Sequence, residues 1–265
     1  MQPEEKLANK ELDLGQVYPD LDNLTPILYA AKHGAHDFIE FCLSRASAIQ
    51  RSMLLDFSNP AGLTALHYAC LYGHVQTAKR LIEYGAPMFK TTSLQMLPIH
   101  MIFGDQNSVT SCEMLFHLFL KHPELMSKKT SSNETVAHQA ASKGAVDILK
   151  VVKSIEPGLL RAKDNYSLTP LLRGVLGNQV EVVKYLLNHS DLNQKNSKGQ
   201  NALHVAVLSS SVEMVTLLLP YFDSHTPDND NHSSLHLAEI YGHKDKLDVM
   251  MNHSVSANSS GYSPK

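Results

Sequence analysis

Histidine is the residue type in this sequence that first suggests chemistry, because an imidazole can bind a metal ion or transfer a proton near neutral pH. The chain of 265 residues contains 15 histidines. Five of them recur at a regular interval, namely His67, His100, His138, His204 and His236. The ligands of one zinc ion all lie about 2 Å from it, whereas equivalent residues of successive packed helices lie about 10 Å apart. We therefore predict that these histidines are structural and bond loop backbone, and that the chain has no metal site.

A cysteine nucleophile with a histidine base is the second arrangement that could do chemistry. His67 and Cys70 are three residues apart and could touch on a helix. Their surroundings in the sequence contain no glycine-rich loop, oxyanion turn or acidic partner, and the chain has no nucleotide-binding glycine motif. Its three cysteines, an odd number without short spacings, predict neither a disulfide framework nor a zinc site. We therefore predict no catalytic residue and no cofactor, and three reduced, mostly buried thiols.

The composition restricts the partners and the compartment. The formal net charge is −3, and no basic run is longer than two residues, such as Lys128–Lys129. A nucleic-acid-binding surface needs clustered cations that neutralise several phosphates. The polar first ten residues argue against a secretory signal, and no apolar run approaches the length of about 20 residues that spans a membrane. We expect a soluble, cytoplasmic, monomeric protein that binds neither nucleic acid nor membrane.

Seven short segments share one pattern, a capping residue followed by a proline or small residue, an apolar residue and usually a histidine. They are Thr25–Leu28, Thr64–His67, Leu97–His100, Thr135–His138, Thr169–Leu172, Asn201–His204 and Ser233–His236. Their first residues lie 39, 33, 38, 34, 32 and 32 positions apart. A period of about 33 residues with such a start is typical of the ankyrin repeat. The chain resembles that family from about Asp20 to His253.

The resemblance implies an all-α fold, an ankyrin-repeat α-solenoid of about seven helix-turn-helix repeats with short β-turn fingers. Residues 1–19 would form an N-terminal capping segment with a short helix around Glu4–Leu12, and residues 254–265 a disordered tail. The expected repeats cover approximately 20–58, 59–91, 92–129, 130–162, 163–195, 196–227 and 228–253.

Local rules predict where the first helix of each repeat begins and ends. Thr, Asn and Ser at the start of the pattern can cap a helix with a side-chain oxygen. Leu97 cannot, so the third repeat should begin less firmly. The helix should end at a residue in the left-handed conformation, which Gly or Asn adopts most easily. The residues at this position are Gly34, Gly73, Gly144, Asn178 and Gly242, with Ser210 in the sixth repeat and no clear equivalent in the third.

Two repeats carry extra residues, which in this family fall in loops and can be functional. One insert lies within Ser44–Phe57 and the other near Asp105–Ser108. The apolar residues of the first insert predict that it packs against its repeat. They are Ile49, Met53, Leu54, Leu55 and Phe57.

Arg173 stands just after the histidine position of the fifth repeat, where Leu172 replaces the histidine. The family usually has an apolar residue at the position of Arg173. A buried arginine there would need a carboxylate partner. We favour the alternative that its stem packs and its head reaches solvent.

Ankyrin proteins resemble one another in binding partners on a concave face, built from the fingertips and the exposed ends of the first helices. Transferred to this chain, those positions give a stripe of large apolar side chains that would bind a partner protein. Its members are Leu71, Tyr72, Tyr166, Leu176, Leu208, Ile240 and Tyr241. Exposed apolar patches often mark interfaces, and tyrosine is a favoured anchor. The resemblance therefore implies a non-catalytic scaffold for protein–protein interaction.

Two other functions stay open. Free-standing ankyrin chains also resemble effectors of intracellular bacteria, which are secreted into a host cell cytoplasm and engage a host protein. In that case the polar residues 254–265 would carry the translocation signal. An enzyme would need a site in one of the two inserts, and neither insert contains a nucleophile–base pair.

Overall fold

The computed structural model of the chain describes residues 13–104 and 108–260. Within these ranges the backbone forms α-helices and a few short 3-10 helices, and its only β structure is a set of isolated antiparallel bridges. The bridges join Tyr18 to Leu24, Ser58 to Thr64, and Pro227 to Ser233. Each bridge closes a finger immediately before the first helix of a repeat. The contacts divide the chain after Ser131 into two compact units.

The first unit contains the first three repeats and one additional helix. Its α-helices are α1 (Pro26–His33), α2 (His36–Arg45), α3 (Ala48–Asp56), α4 (Ala65–Leu71), α5 (Val75–Glu83), α6 (Pro98–Met101) and α7 (Val109–Phe119). Two 3-10 helices, Pro19–Leu21 and Pro123–Leu125, flank them. The first helix of each repeat is buried on most sides and made of small residues where it meets its neighbours. Ala30, Ala31 and Ala69 are examples, with at most 1% of their surface exposed.

The second unit contains the remaining four repeats. Its α-helices are α8 (Val136–Lys143), α9 (Val146–Ile155), α10 (Pro170–Leu176), α11 (Val180–Leu187), α12 (Ala202–Ser209), α13 (Val212–Leu218), α14 (Ser234–Ile240) and α15 (Lys244–Ser260). A 3-10 helix covers Pro157–Arg161. Helix α12 is buried along its whole first part, Ala202–Val207. A helix that is apolar on all sides can exist in water only between two covering neighbours.

Side-chain caps set the starts of the first helices, as predicted. Thr25 Oγ1 accepts a hydrogen bond from the Leu28 amide at 3.4 Å, and Thr169 Oγ1 accepts one from the Leu172 amide at the same distance. Asn201 Oδ1 accepts from two amides, those of Leu203 and His204, at 3.1 and 3.2 Å. Such a cap stabilises a helix by about 1 kcal/mol because it satisfies an amide that has no partner within the helix.

The third repeat confirms the expectation of a weak start. Leu97 offers no side-chain oxygen, and α6 extends over only four residues, Pro98–Met101. The insert predicted near Asp105–Ser108 separates α6 from α7, and residues 105–107 of it lie outside the described part of the chain.

The left-handed helix ends predicted at Gly and Asn residues are present, whereas Ser210, at this position in the sixth repeat, has an extended backbone with φ of −115°. Gly34, Gly73, Gly144 and Gly242 have φ values of 77°, 75°, 87° and 68°, and Asn178 has φ of 52°. Glycine is needed at two of these positions for a second reason. A Cβ atom on Gly34 would lie 2.8 Å from His74 Nδ1, and one on Gly144 would lie 2.6 Å from Gln179 Oε1. The close approach of the next repeat therefore adds to the backbone requirement.

The first insert folds into a helix of its own. Helix α3 begins with a capping box, in which the Gln50 amide donates to Ser47 Oγ at 3.3 Å and the Ser47 amide donates to Gln50 Oε1 at 3.0 Å. The prediction that its apolar residues pack is correct for Leu55, which is buried. It is wrong for Ile49 and Met53, which are 76% and 69% exposed. One face of a nine-residue helix supplies enough apolar contact to hold it, so its other apolar residues stay in water.

Helix α15 continues to Ser260, seven residues beyond the predicted boundary at His253. The expectation of disorder is therefore wrong for residues 254–260. Once a helix is nucleated, each further residue adds one hydrogen bond at little cost, so even Ser and Asn can extend it. Residues 261–265, and the helix predicted around Glu4–Leu12, lie outside the described residues.

Candidate functional site

Four of the five periodic histidines bond the next finger, as predicted. Each Nε2 lies within hydrogen-bond distance of a backbone carbonyl about one repeat further along the chain. The pairs are His67 with Met96 (3.2 Å), His100 with Lys128 (3.1 Å), His138 with Leu168 (3.0 Å) and His204 with His232 (3.3 Å). His236, in the last of the seven repeats, is exposed instead.

The ring nitrogens of these histidines have defined roles. The amide N–H of Thr64 donates to His67 Nδ1 at 3.2 Å, so the ring proton lies on Nε2 and is donated to the Met96 carbonyl. Burial lowers the pKa of His67 and of His100 to about 4. Burial also lowers the pKa of His138 and His204. His67, His100 and His138 are thus neutral at pH 7 with both ring nitrogens engaged, so they are structural rather than metal ligands or bases.

The cysteine environments explain why no thiolate chemistry is expected. Burial raises the pKa of the Cys42 thiol to about 12 and that of Cys70 well above its usual range. Cys112 is also buried, and its Sγ donates to the Ile102 carbonyl at 3.0 Å. A thiol must ionise to act as a nucleophile. At neutral pH Cys42 and Cys70, like most buried cysteines, therefore behave as small apolar residues.

One group of possible metal ligands occurs among the described residues, and the local backbone accounts for it. Single ligand atoms of Asp228, Asp230 and His232 lie within 4.8 Å of one another. Asp228 Oδ1 accepts from the amides of Asp230 and His232 at 3.0 and 2.9 Å, and Gln200 Nε2 donates to Oδ2 at 3.4 Å. The carboxylate holds a turn, which is the usual role of Asp at the start of a tight loop.

The same turn recurs in other fingers, and the sequence analysis missed it. Asn59, Asp164 and Asn196 each accept two amide hydrogen bonds from residues two and four positions later, as Asp228 does. All four residues stand five positions before a helix N-cap. An Asp or Asn at that fixed offset was the signal that could have found them.

Arg173 has the carboxylate partners of the less favoured alternative, and 24% of its side chain is still exposed to solvent. Its Nε donates to Asp164 Oδ2 at 3.1 Å and its Nη2 to the same oxygen at 2.5 Å. Nη2 also contacts Glu134 Oε1. The Asp164 side chain is fully buried and already holds the finger turn with Oδ1. A buried carboxylate needs a cation nearby. This explains why the fifth repeat has an arginine where the family usually has an apolar residue.

The residues predicted to bind a partner differ in accessibility. In the second unit Tyr166 and Tyr241 are 64% and 62% exposed, and Leu176 and Ile240 are exposed as well. Leu208 is half-buried on α12. In the first unit Leu71 and Tyr72, at the end of α4, are both half-buried. The second unit therefore presents the larger part of the predicted apolar surface to solvent.

Neighbouring rings support the tyrosines at the helix ends. Tyr72 stacks between Tyr68 and His74, with 6.4 Å between ring centroids on each side. Tyr241 stacks on His243 in the same way, at 6.3 Å. The two histidines follow the left-handed glycines, so the same Tyr-Gly-His sequence produces the same geometry in both units. A side chain held in this way loses little conformational entropy when it binds a partner.

Among the described residues no helix is both long enough and apolar enough to cross a lipid bilayer.

Known proteins share this repeat pattern. The family described as ankyrin repeats (3 copies) matches residues 5–92, 106–196 and 175–260. The chain is 23% identical over 206 residues to palmitoyltransferase AKR1 of Lachancea kluyveri, covering 76% of this chain and 27% of that protein. It is 28% identical over 121 residues to human ankyrin repeat domain-containing protein 53, covering 45% of this chain and 22% of that protein. It thus spans only about a quarter of the length of these two relatives.

A third relative is matched over most of its length. It is the probable 26S proteasome regulatory subunit p28 of Saccharomyces cerevisiae, 22% identical over 193 residues, which cover 71% of this chain and 80% of that protein. The crystal structure of the human ASB11 ankyrin repeat domain superimposes with a TM-score of 0.64 at 20% identity, over 81% of this chain and 91% of that domain. This similarity establishes the fold. Since the family match also covers most of the sequence, the chain belongs to the ankyrin-repeat family.

Proposed function

We propose that this chain is a non-catalytic protein-interaction module that binds a partner protein through the exposed helix ends and fingertips of its second unit. The observation that carries the proposal is the exposure of Tyr166, Leu176, Ile240 and Tyr241 at repeated positions of a rigid scaffold. Ankyrin repeats generally serve as protein-interaction modules, and the fold alone does not name the partner.

The energetics favour the tyrosines as anchors. Tyrosine offers a large contact area with few rotatable bonds, and truncating a central interface tyrosine commonly weakens binding by about 2 kcal/mol or more. That loss corresponds to roughly thirtyfold in Kd. Because Tyr166 and Tyr241 are mostly exposed, their removal takes little packing from the folded chain.

The test is affinity capture from cell lysate followed by mass spectrometry, with three baits. They are the wild-type chain, the double variant Tyr166→Ala/Tyr241→Ala, and the control Tyr221→Ala. Tyr221 is also exposed but follows α13 rather than ending a first helix. We expect a protein that the wild type and the control recover and the double variant loses, with the same Tm for all three baits. Equal recovery by all baits would refute the assignment of the surface.

The alternative functions gain no support from these observations. The relatives named above come from fungi and a vertebrate, which does not favour a bacterial effector. Translocation by residues 254–265 stays a prediction, to be checked by deleting that segment from a reporter fusion. A catalytic role is not favoured either, because the hydroxyl–imidazole pairs Thr64–His67 and Thr135–His138 are buried at helix starts, where a substrate cannot reach them.

A further inference from the structure

A second surface of the first unit has the features of a docking groove. It lies between helices α2 and α3, is also lined by residues 13–15 and Thr25, and has a volume of about 610 Å³. Phe41, Met53, Leu54 and Phe57 supply most of its apolar lining, and Arg45 lies at its rim. The volume falls in the range of pockets that enclose a drug-sized ligand. It can therefore take several apolar side chains from one face of a helix.

The groove is preformed because α3 is fixed at both ends. Arg51 reaches back from α3 and donates to the carbonyl of Leu43 at 3.0 Å and to that of Ala46 at 3.3 Å. At the other end Lys90 Nζ lies 2.9 Å from Asp56 Oδ1 and also contacts the Asp56 carbonyl. Binding to such a groove costs less free energy, because no segment has to be ordered when a ligand enters.

The groove exposes more apolar surface than its own fold requires. Of its lining residues, Met53 is 69% exposed, and Phe41 and Phe57 are exposed as well. Ile49, one turn before Met53 on the same helix, is not part of the lining but is 76% exposed. Contiguous apolar patches of this kind mark interaction sites on soluble domains. Methionine is common on such surfaces because its flexible thioether adapts to the ligand.

The charges around the groove indicate what the ligand must carry. Arg45 places its guanidinium 3.8 Å from the centroid of the Phe41 ring, and no carboxylate among the described residues pairs with it. The nearby acids have other partners. Asp13, which also lines the groove, accepts a hydrogen bond from the Gly15 amide with Oδ1 at 2.9 Å. Glu40 pairs with Arg80 at 3.0 Å and Asp56 with Lys90 at 2.9 Å. Arg45 is thus the cation at the rim that is left for an incoming carboxylate.

We propose that this groove binds an amphipathic helix of another protein, with its apolar face on Met53, Phe41 and Phe57 and a carboxylate opposite Arg45. Insertion of an amphipathic helix between two helices is a recurrent mode of peptide recognition. The unpaired guanidinium selects an acidic helix over a basic one. The site is separate from the tyrosine surface of the second unit, so each proposal can fail without the other.

The test uses two fluorescein-labelled peptides of about three helical turns. Both have leucine at peptide positions 1, 5 and 8, which lie on one face of the helix. They differ only in whether Glu or Lys stands beside that face. Fluorescence anisotropy measures their affinity for the full chain. We expect wild type to prefer the Glu peptide by about threefold to fivefold, the effect of one partly exposed ion pair. Arg45→Glu should reverse the preference, and Met53→Asp should weaken both peptides at least tenfold.

Matched controls keep the test specific. Lys121→Glu makes the same charge change at an exposed residue beyond α7, and Ser52→Asp adds a carboxylate to the other side of α3. Neither should change the peptide preference. Equal binding of the two peptides to wild type and Arg45→Glu would overturn the proposal, and so would full binding by Met53→Asp.

Two other occupants of the groove would also overturn the proposal, and each would give a different experimental result. If residues 1–12 of this chain fill the groove, a variant lacking them should bind the Glu peptide at least tenfold more tightly than the full chain does. If a second copy fills it, sedimentation should show a concentration-dependent dimer that Met53→Asp abolishes.

Discussion

Acidification should destabilise the first unit because two of its histidines are buried in the neutral form. His67 and His100 are at most 2% exposed, and burial lowers the pKa of each to about 4 from an unfolded value of 6.5. Between these pH values the unfolded chain binds more protons than the folded chain. The free energy of unfolding therefore falls as the pH falls from about 6.5 towards 4.

The magnitude follows from the two pKa values. At pH 5 the unfolded histidine is almost fully protonated and the folded one is mostly neutral. The difference costs about 2 kcal/mol per histidine relative to pH 7, or about 4 kcal/mol for His67 and His100 together. The total stability of a domain is about 5–15 kcal/mol, so the loss should be large enough to measure.

Urea unfolding followed by circular dichroism at 222 nm measures this effect at pH 7, 6 and 5. The variant His67→Leu/His100→Leu copies the natural Leu172 of the fifth repeat. At pH 7 this variant should be less stable than wild type, because it loses the hydrogen bonds to the Met96 and Lys128 carbonyls. Between pH 7 and pH 5, however, its free energy of unfolding should fall by about 4 kcal/mol less than that of wild type. His117→Gln removes an exposed histidine and should keep the pH dependence of wild type. If the double variant and wild type lose the same stability on acidification, the argument from buried neutral histidines is refuted.

Two further predictions concern stability in the second unit, each measured as the change in the free energy of urea unfolding. Gly144→Ala should cost about 1–2 kcal/mol, because φ is 87° and the new Cβ would meet Gln179. Gly158→Ala, where a Cβ meets no atom within 4 Å, is the control, and equal effects would contradict the reasoning. Arg173→Met should cost about 2–3 kcal/mol, since it leaves the buried Asp164 carboxylate without its cation. Arg161→Met, at an exposed arginine, should change stability by less than about 0.5 kcal/mol, and a similarly small effect of Arg173→Met would refute the role of the ion pair.

The predictable parts of this fold are those determined within one repeat. A threonine cap bonds an amide three residues later, and a left-handed glycine follows its own helix. Because these interactions are local and recur about seven times, the sequence pattern predicts the helices of the repeats. The periodic histidines bond the next repeat, and their role was predictable from the regular period itself. The turn made by Asp164 and its equivalents is equally local, because an Asp or Asn at a fixed offset before the cap determines it.

The features that the sequence did not predict depend on contacts between separate segments. The Arg173 partners come from two different fingers, at Glu134 and Asp164, and nothing in the spacing distinguishes this pairing from exposure to solvent. Ile49 and Met53 have the same residue types as packed positions, and only the placement of α3 leaves them exposed. The predicted binding residues belong to this second class, which is why their exposure could not be ranked from the sequence.

The same distinction bears on function. Several buried polar residues of the repeats have a partner that explains their identity, such as the carbonyl opposite His138 or the turn amides opposite Asp228. Tyr166 and Tyr241 stabilise the folded chain by much less, because most of each side chain lies in water. A large side chain that contributes little to stability is expected to serve an interaction outside the chain. Removing it should therefore change what the protein binds while leaving its stability nearly unchanged, whereas removing His138 should do the reverse.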